Sequence, residues 1–244
     1  GRKLIIEEFL EGEEVSILTV TDGREMVVLP ASQDHKRIFE GDRGLNTGGM
    51  GAYAPTPVMS MRMKDLVGEK ILRPVLEAMR RENRTYKGVL YAGLIITSAG
   101  PRVLEFNCRF GDPETQAVLP LINHDIIDLF EAALDNRLGR IDLKQSGKSA
   151  VCVVMSSGGY PGAYEKGKVI HGLGTVEKGI VFHAGTKRKG DTLLTNGGRV
   201  LGVTATGESL EKAIDQVYKD VGRITFDGAY YRRDIAHKAL DKKR

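Results

Sequence analysis

The chain alternates short apolar runs with polar, glycine-rich stretches, and the spacing of the apolar positions predicts its elements. Leu4-Ile-Ile6 predicts a strand at the outset. Val15-Ser-Ile-Leu-Thr-Val20 predicts another, after Phe9-Leu10 and the acidic Glu11-Gly-Glu-Glu14. Asp22-Gly23 signals a hairpin, with Glu25 to Pro30 as its return strand. Residues 31–57 form a long polar stretch holding Gly41, Gly44, Gly48, Gly49 and Gly51, and a loop of that length in a compact domain is usually functional or disordered. Helical spacing runs from Leu66 to Glu82, with Pro74 as a local fault, and again from Asp125 to Leu138. Between them, Tyr91 to Thr97, the turn Ser98-Ala-Gly-Pro101 and Arg102 to Phe110 predict a second hairpin.

Around 140–148 the sequence turns polar, which predicts a boundary between a unit 1–146 and a unit 147–244. The second unit carries short β segments at Ala150–Met155, Val169–His171, Val181–His183 and Arg199–Ala205. It then has an amphipathic helix from Ser209, its N-cap, to Val221, with Lys212 and Lys219 on the polar side. Strands grouped with a few helices, in no alternating βαβ order, predict an α+β fold: an antiparallel sheet with helices, followed by a small β-rich domain.

Composition narrows the function classes. Charged residues make up 28% and hydrophobic ones 41%, an ordinary globular balance, and no apolar run approaches a membrane helix. Cys108 and Cys152 both fall in apolar runs, which predicts two buried, reduced thiols in a cytoplasmic protein. The net charge of +4 is uneven: residues 147–244 hold 17 Lys/Arg against 10 Asp/Glu. Aromatic residues are not interleaved with these cations as a nucleic-acid stacking platform requires, so a phosphorylated metabolite is the expected partner, with neither nucleic acid nor membrane.

The densest chemistry lies in Glu105-Phe-Asn-Cys-Arg-Phe-Gly-Asp-Pro-Glu114. On a strand, Glu105, Asn107 and Arg109 project from one face, and Phe106, Cys108 and Phe110 from the other, which is apolar enough to be core. A carboxylate beside an amide oxygen suits Mg²⁺, and an Arg two residues on suits a transferring phosphoryl group or an acyl phosphate. An exposed polar strand face with an internal ion pair would show the same residues. Asn46-Thr-Gly-Gly-Met-Gly51 is glycine-rich but fits neither a P-loop nor a Rossmann fingerprint. Its glycines would let backbone N–H groups approach an anion, as would a merely flexible loop. Gln33-Asp-His-Lys-Arg37 places two cations where phosphate could bind, or forms a solvated turn. Glu7-Glu-Phe-Leu10 could offer backbone groups to an adenine edge, with a nearby carboxylate for ribose; acidic residues flanking a turn are also common.

Four segments together, Glu7 to Ser16, Gln33 to Arg37, Asn46 to Tyr53 and Glu105 to Glu114, resemble the glycinamide ribonucleotide synthetase (phosphoribosylamine–glycine ligase) family of ATP-grasp enzymes. Gly158-Gly-Tyr-Pro-Gly162, His183-Ala-Gly-Thr186 and Asn196 to Leu201 are similar to its C-terminal domain, so the likeness runs from Leu4 to about Leu240. The resemblance implies an ATP-grasp lobe over 1–146 and the ligase's C-terminal domain over 147–244. It implies ATP and Mg²⁺ or Mn²⁺, with glycine and 5-phosphoribosylamine joined through glycyl phosphate. Glu105 and Asn107 would hold the metal. Glu7, Glu8, Phe9 and Leu10 would form the adenine hinge and Glu14 would take the ribose, with Arg37 and Asn46 near the nucleotide phosphates. Arg109 would be catalytic, stabilising phosphoryl or acyl-phosphate oxygens. Gly48, Gly49, Met50, Gly51, Asp112 and Arg199 would face the substrates. The chain departs from the wider pattern in having no metal carboxylate on Tyr91–Thr97. The family's N-terminal part is also expected to be missing from the chain and to be its partner. Two other readings stay open: a different ATP-grasp carboxylate–amine ligase, or a nucleotide-binding module without turnover.

Overall fold

A computed structural model describes residues 4–241. The first β segment, β1 (Glu13–Thr21), pairs antiparallel with β2 (Met26–Val28) across the expected Asp22-Gly23 hairpin, Thr21 facing Met26. Asp22 fixes that turn by accepting from the backbone N–H groups of Arg24 (2.9 Å) and Glu25 (2.8 Å).

Residues 31–57 are not one long loop. They hold β3 (Gln33–Asp34), β4 (Arg37–Phe39), β5 (Arg43–Asn46) and β6 (Gly51–Ala54). The glycines are there for close packing as well as turns: a Cβ on Gly51 would stand 2.6 Å from the Cys152 carbonyl oxygen. The expected helix at 66–82 is α1 (Met61–Val67) and α2 (Arg73–Arg81), joined by a π-helical segment, Gly68–Leu72. Pro74 occupies the first turn of α2, where its missing N–H costs nothing, and the wide π turn lies immediately before it.

The long hairpin β7 (Gly88–Thr97) and β8 (Gly100–Asn107) completes a four-stranded antiparallel sheet in the order β2-β1-β7-β8. Both neighbours of β1 are thereby taken. Leu4–Ile6, expected as a strand, pairs with none of the described strands and runs without regular structure, its three residues 80–87% exposed. A bulge between Gly93 and Leu94 sets Glu105 opposite Gly93 and Val103 opposite Leu94.

The expected core face of Arg102–Phe110 is also corrected. β8 is an edge strand with no layer over that face, so Phe106 is 38% exposed and Cys108 is exposed. Of the three apolar side chains only Phe110 is partly buried, against Phe130, their ring centroids 6.1 Å apart. A short helix that the spacing did not predict, α3 (Glu114–Val118), follows. The next, α4 (Ile126–Leu134), is N-capped by Asp125, which accepts from the Ile127 N–H.

The remaining strands are β9 (Ser149–Ser156), β10 (Ile180–His183), β11 (Thr186–Lys189), β12 (Thr192–Thr195) and β13 (Arg199–Gly207). Helix α5 (Leu210–Val221), capped by Ser209 as expected, covers β9 and β13, and the short α6 (His237–Asp241) ends the described chain. Val169–His171 makes only isolated bridges, to Leu194 and Thr225, instead of a strand. The five-stranded sheet has the order β10-β13-β9-β6-β3. It draws β3 and β6 from before residue 146 and the other three strands from after it, and its two faces feed two cores, one around Val151, Val153 and Val203 and the other around Ala52, Ala150 and Cys152. Gln33-Asp34 and the glycine loop are therefore anchored from below by a sheet whose other strands lie a hundred residues later.

Candidate functional site

The edge strand β8 carries Glu105 and Asn107 opposite Gly93 and Tyr91. Gly93 is what gives Glu105 room: a Cβ there would stand 3.1 Å from the glutamate's Cγ. Arg109 follows, exposed, one guanidinium nitrogen donating to the Phe110 carbonyl at 2.9 Å. These three line one cleft of about 120 Å³; the strand expected over Arg102–Phe110 ends at Asn107, so alternation accounts for Glu105 and Asn107 and not for Arg109. Glu105 and Asn107 supply two oxygen donors on the same open face. Among the described residues no group of three or more His, Cys, Asp or Glu is placed to hold a metal. Two protein oxygens fit Mg²⁺, which keeps waters and phosphate oxygens in its shell and needs few protein ligands.

Behind that face lies a set of buried acids to which the sequence reading gave no role. Glu114, 4% exposed, accepts at Oε1 from the Tyr91 hydroxyl (2.9 Å) and the Ser16 hydroxyl (3.2 Å). Burial and the Glu114 charge raise the pKa of the Tyr91 hydroxyl, keeping it protonated and a donor. Asp34 lines the same cleft, and burial, reinforced by the Glu114 charge, pushes its carboxyl up to about 7. Both acids stood inside quoted motifs. The available signal was position: Asp34 lies in the polar run Gln33–Arg37, where it ends β3, and Glu114 follows the Gly111-Asp-Pro113 turn.

The expected ribose carboxylate, Glu14, sits at the mouth of an adjoining cleft of about 380 Å³, bonded at 2.5 Å to Lys36. Burial works against the Lys36 ammonium, but the bond to Glu14 and the charges of Asp34, Glu14 and Glu105 outweigh it and raise its pKa. Arg37 and Asn46 line this cleft too and are cross-strand partners in the β4–β5 hairpin, with an Arg37 guanidinium nitrogen donating to the Gly44 carbonyl at 2.7 Å. Of the expected hinge, Glu7, Glu8 and Leu10 line a cleft of about 310 Å³ against Arg102, Val103 and Leu104. Phe9 does not line it and is 87% exposed.

The substrate-facing set divides. Gly48 is exposed, its N–H donating to the Tyr160 hydroxyl at 3.1 Å. Gly49 adopts φ +110, and a Cβ there would stand 2.5 Å from Pro113, so glycine is required. Gly49, Met50 and Gly51 are all buried. Met50 is fully buried and Gly51 begins the buried strand β6, because the Met50 carbonyl is drawn into the sheet by the Val154 N–H at 3.0 Å. Arg199, from β13, clamps the loop: one guanidinium nitrogen reaches the carbonyl oxygens of Gly48 (2.7 Å), Gly49 (3.3 Å) and Asp112 (2.8 Å), and the Asp112 carboxylate (3.2 Å). Tyr160, which the sequence reading quoted only as part of a motif, closes the other side of Gly48.

Two family models match the chain. The phosphoribosylglycinamide synthetase ATP-grasp (A) domain covers residues 1–115, and the C domain of the same enzyme covers residues 150–238. The chain belongs to the phosphoribosylglycinamide synthetase family. A phosphoribosylamine–glycine ligase of Synechocystis is 52% identical over 98% of this chain, which spans 58% of that protein. The crystal structure of phosphoribosylamine–glycine ligase from Thermotoga maritima superposes with a TM-score of 0.84 at 38% identity, over 94% of this chain and 57% of that one. The biotin carboxylase domain of the Hydrogenobacter thermophilus 2-oxoglutarate carboxylase, solved with MgADP and bicarbonate, is only 13% identical but shares the fold, with a TM-score of 0.63 over 90% of this chain and 47% of its own. The α+β, ATP-grasp architecture of this synthetase-family chain is thus found beyond the family. The chain spans little more than half the length of these curated and solved synthetases.

Proposed function

We propose that the chain supplies the nucleotide-, metal- and acyl-transfer face of a cytoplasmic phosphoribosylamine–glycine ligase in purine biosynthesis, and that the remainder of a longer enzyme covers the open side of β8. In this reading a carboxylate oxygen of glycine attacks the γ-phosphorus of ATP, the bond to the β-phosphate oxygen breaks, and ADP leaves. The amine of 5-phosphoribosylamine then attacks the carbonyl carbon of glycyl phosphate, and phosphate leaves.

The observation that carries this reading is three adjoining clefts that share Lys36, with Glu14, Glu105 and Asp34 each shared by two of them, and that together carry Asn107, Arg109 and Glu114. Glu14 accepts ribose hydroxyls, and the segment Glu7 to Leu10 holds the adenine edge. Glu105 and Asn107 would hold Mg²⁺ or Mn²⁺, which when bound neutralises charge on the phosphate oxygens. Arg109 swings from the Phe110 carbonyl to the phosphoryl or acyl-phosphate oxygens, where charge develops. Asp34 and Glu114, acids at the closed end, accept the ammonium group of the amino acid. Arg199 and Asp112 hold Gly48 and Gly49 against the substrates, with Arg199 acting through the loop backbone.

Glu105→Gln in the intact protein tests the reading. The change is nearly isosteric at an exposed position, so melting should be unaltered while glycine-dependent ADP formation is lost. Glycine-dependent ADP formation near the unmodified rate would overturn it.

A further inference from the structure

The nucleotide cleft is built partly by the far end of the chain. Residues 230–238 lie along 35–44 and bond to it at almost every turn. Arg232, 1% exposed, donates to the Arg37 carbonyl (2.9 Å) and the Asp42 carboxylate (2.8 Å) and is held by Asp234 at 2.7 Å. Asp234 accepts from the Gly41 N–H (2.8 Å), and the Tyr230 hydroxyl donates to the Ile38 carbonyl (3.0 Å). His35 closes the contact, its Nε2 accepting from the Ala236 N–H at 3.4 Å. Buried Ala236 and Ala239 tie this end into the core. Between them Lys238 reaches the cleft that Glu14, Arg37 and Asn46 line.

Lys238 makes one long ion pair, to an Asp42 carboxylate that is already hydrogen-bonded by Arg232, in a cleft that Asp34 also lines. Glu14 is answered by Lys36, Asp42 by Arg232, and Glu13 accepts from the Gln33 amide. Lys238 stands 3.9 Å from Asp42, beyond hydrogen-bond reach, with its side chain 35% exposed. Burial first, then the Lys238 and Arg232 charges, lowers the pKa of His35 against the opposing pull of Asp42 and Asp234, so His35 stays neutral and adds no charge to the cleft.

We propose that Lys238 is a nucleotide-binding residue, its ammonium donating to a phosphate oxygen of the nucleotide on the side of the cleft formed by Arg37 and Asn46. The proposal deepens the nucleotide reading above and rests on it. It assigns the segment 230–238 a second duty beyond packing: the C-terminal domain contributes one phosphate contact and, through Arg232, positions Arg37 for another.

The test is titration calorimetry on the intact protein with Mg²⁺, using ATP, ADP and adenosine in turn, on the unmodified protein, K238M, K238R and E14Q. Losing one charge-assisted contact should weaken ATP binding about tenfold in K238M, while K238R stays within about threefold. Adenosine, which needs the fold but no phosphate contact, should bind K238M as it binds the unmodified protein and so reports on folding. ATP affinity unchanged in K238M, or ATP and adenosine weakened alike, would overturn the assignment. E14Q separates the two layers: if Glu14 is a ribose contact, E14Q weakens adenosine and ATP together whatever Lys238 does. If instead the unmodified protein binds no nucleotide, the nucleotide reading itself falls.

Discussion

Strands β8 and β9 make a controlled comparison. Each is eight residues long, each pairs antiparallel with a long neighbour, each is rich in apolar residues, and a cysteine lies in β9 and another immediately after β8. β9 lies at the centre of the five-stranded sheet and is buried at seven of its eight positions. β8 lies at the edge of the four-stranded sheet and has no fully buried residue. The difference is in layers, not in propensity. Cores press on both faces of β9, so every side chain is structural; β8 has only one paired edge, and Glu105 and Asn107 remain free to meet a ligand. Binding chemistry is written where the sheet stops.

If that contrast holds, the largest effect of a single change at the open edge is on rate. Arg109→Ala should lower kcat by roughly 10²–10³-fold, as loss of one donor to a developing oxyanion does, with a smaller change in the KM for ATP. Arg109→Lys should recover only part of the rate, since an ammonium cannot reproduce the planar fork. Steady-state kinetics on the intact protein decide this, and an unchanged kcat with weakened ATP binding would reduce Arg109 to a ground-state contact.

Stability should show the reverse pattern. Val153, fully buried in β9, should cost about 2 kcal/mol when truncated to Ala; Val103 on β8, 39% exposed, should cost below about 0.5 kcal/mol. Equal losses in urea unfolding would mean that β8 is covered in solution.

A subtler test uses Asp34, on β3 at the far edge of the five-stranded sheet, where the site meets the core. Its carboxyl is pushed to about 7 from an ordinary 3.8, by burial first and by Glu114 second. A raised folded pKa means that the fold favours the protonated form. That stability is full below about pH 4 and is lost as the pH rises through 7. Asp34→Asn keeps the neutral form, so its melting temperature should exceed that of the unmodified, ligand-free protein by more at pH 8 than at pH 4. An equal difference at both pH values would show that Asp34 is solvated.

The smallest effect, and the simplest to read, is thiol access. Cys108 is exposed, whereas Cys152 is fully buried and its thiol is pushed up to about 12 by burial. A disulfide reagent should label one thiol in the native protein and the second only on unfolding, and Cys108→Ser should abolish the native reaction. Two fast thiols would erase the distinction between the strands.

The same contrast explains what could be read from the residues alone. Period-2 alternation put Glu105, Asn107 and Arg109 on one face; for Glu105 and Asn107 that holds because a strand's geometry is local, while Arg109 lies past the end of β8 and lines the same cleft from the chain that follows. Alternation could not say whether Phe106 and Cys108 had a layer above them, since that depends on which strands come to lie beside β8. Leu4–Ile6 failed for the same reason, an apolar run being only half of a strand. The capped helices at Ser209 and Asp125 were legible because a cap and its helix lie within a few residues. The burial of Met50 and Gly51 could not be read locally, because glycine richness signals both open loops and tight sheet packing, and β9, the strand that decides between them, lies a hundred residues away. Lys238 and Tyr160 carried no local signal, as each joins the site through contacts with residues distant in sequence.

The clasp between 35–44 and 230–238 also imposes an order of events on the newly made chain. Its bonds join residues 190 to 201 positions apart. At a ribosomal pace of 5–20 residues per second, the hairpin bearing Arg37 and Asn46 exists for roughly 10–40 s before Arg232 emerges to hold it. For about the first half of that interval β6 also lacks β9, and the buried Met50 and Tyr53 have no sheet partner to pack with. The early half of the chain is therefore a client in waiting. Long-range pairing of this kind makes folding slow, and a ribosome that stalls before residue 230 would leave a chain in which the cleft lined by Glu14, Arg37 and Asn46 has no back wall.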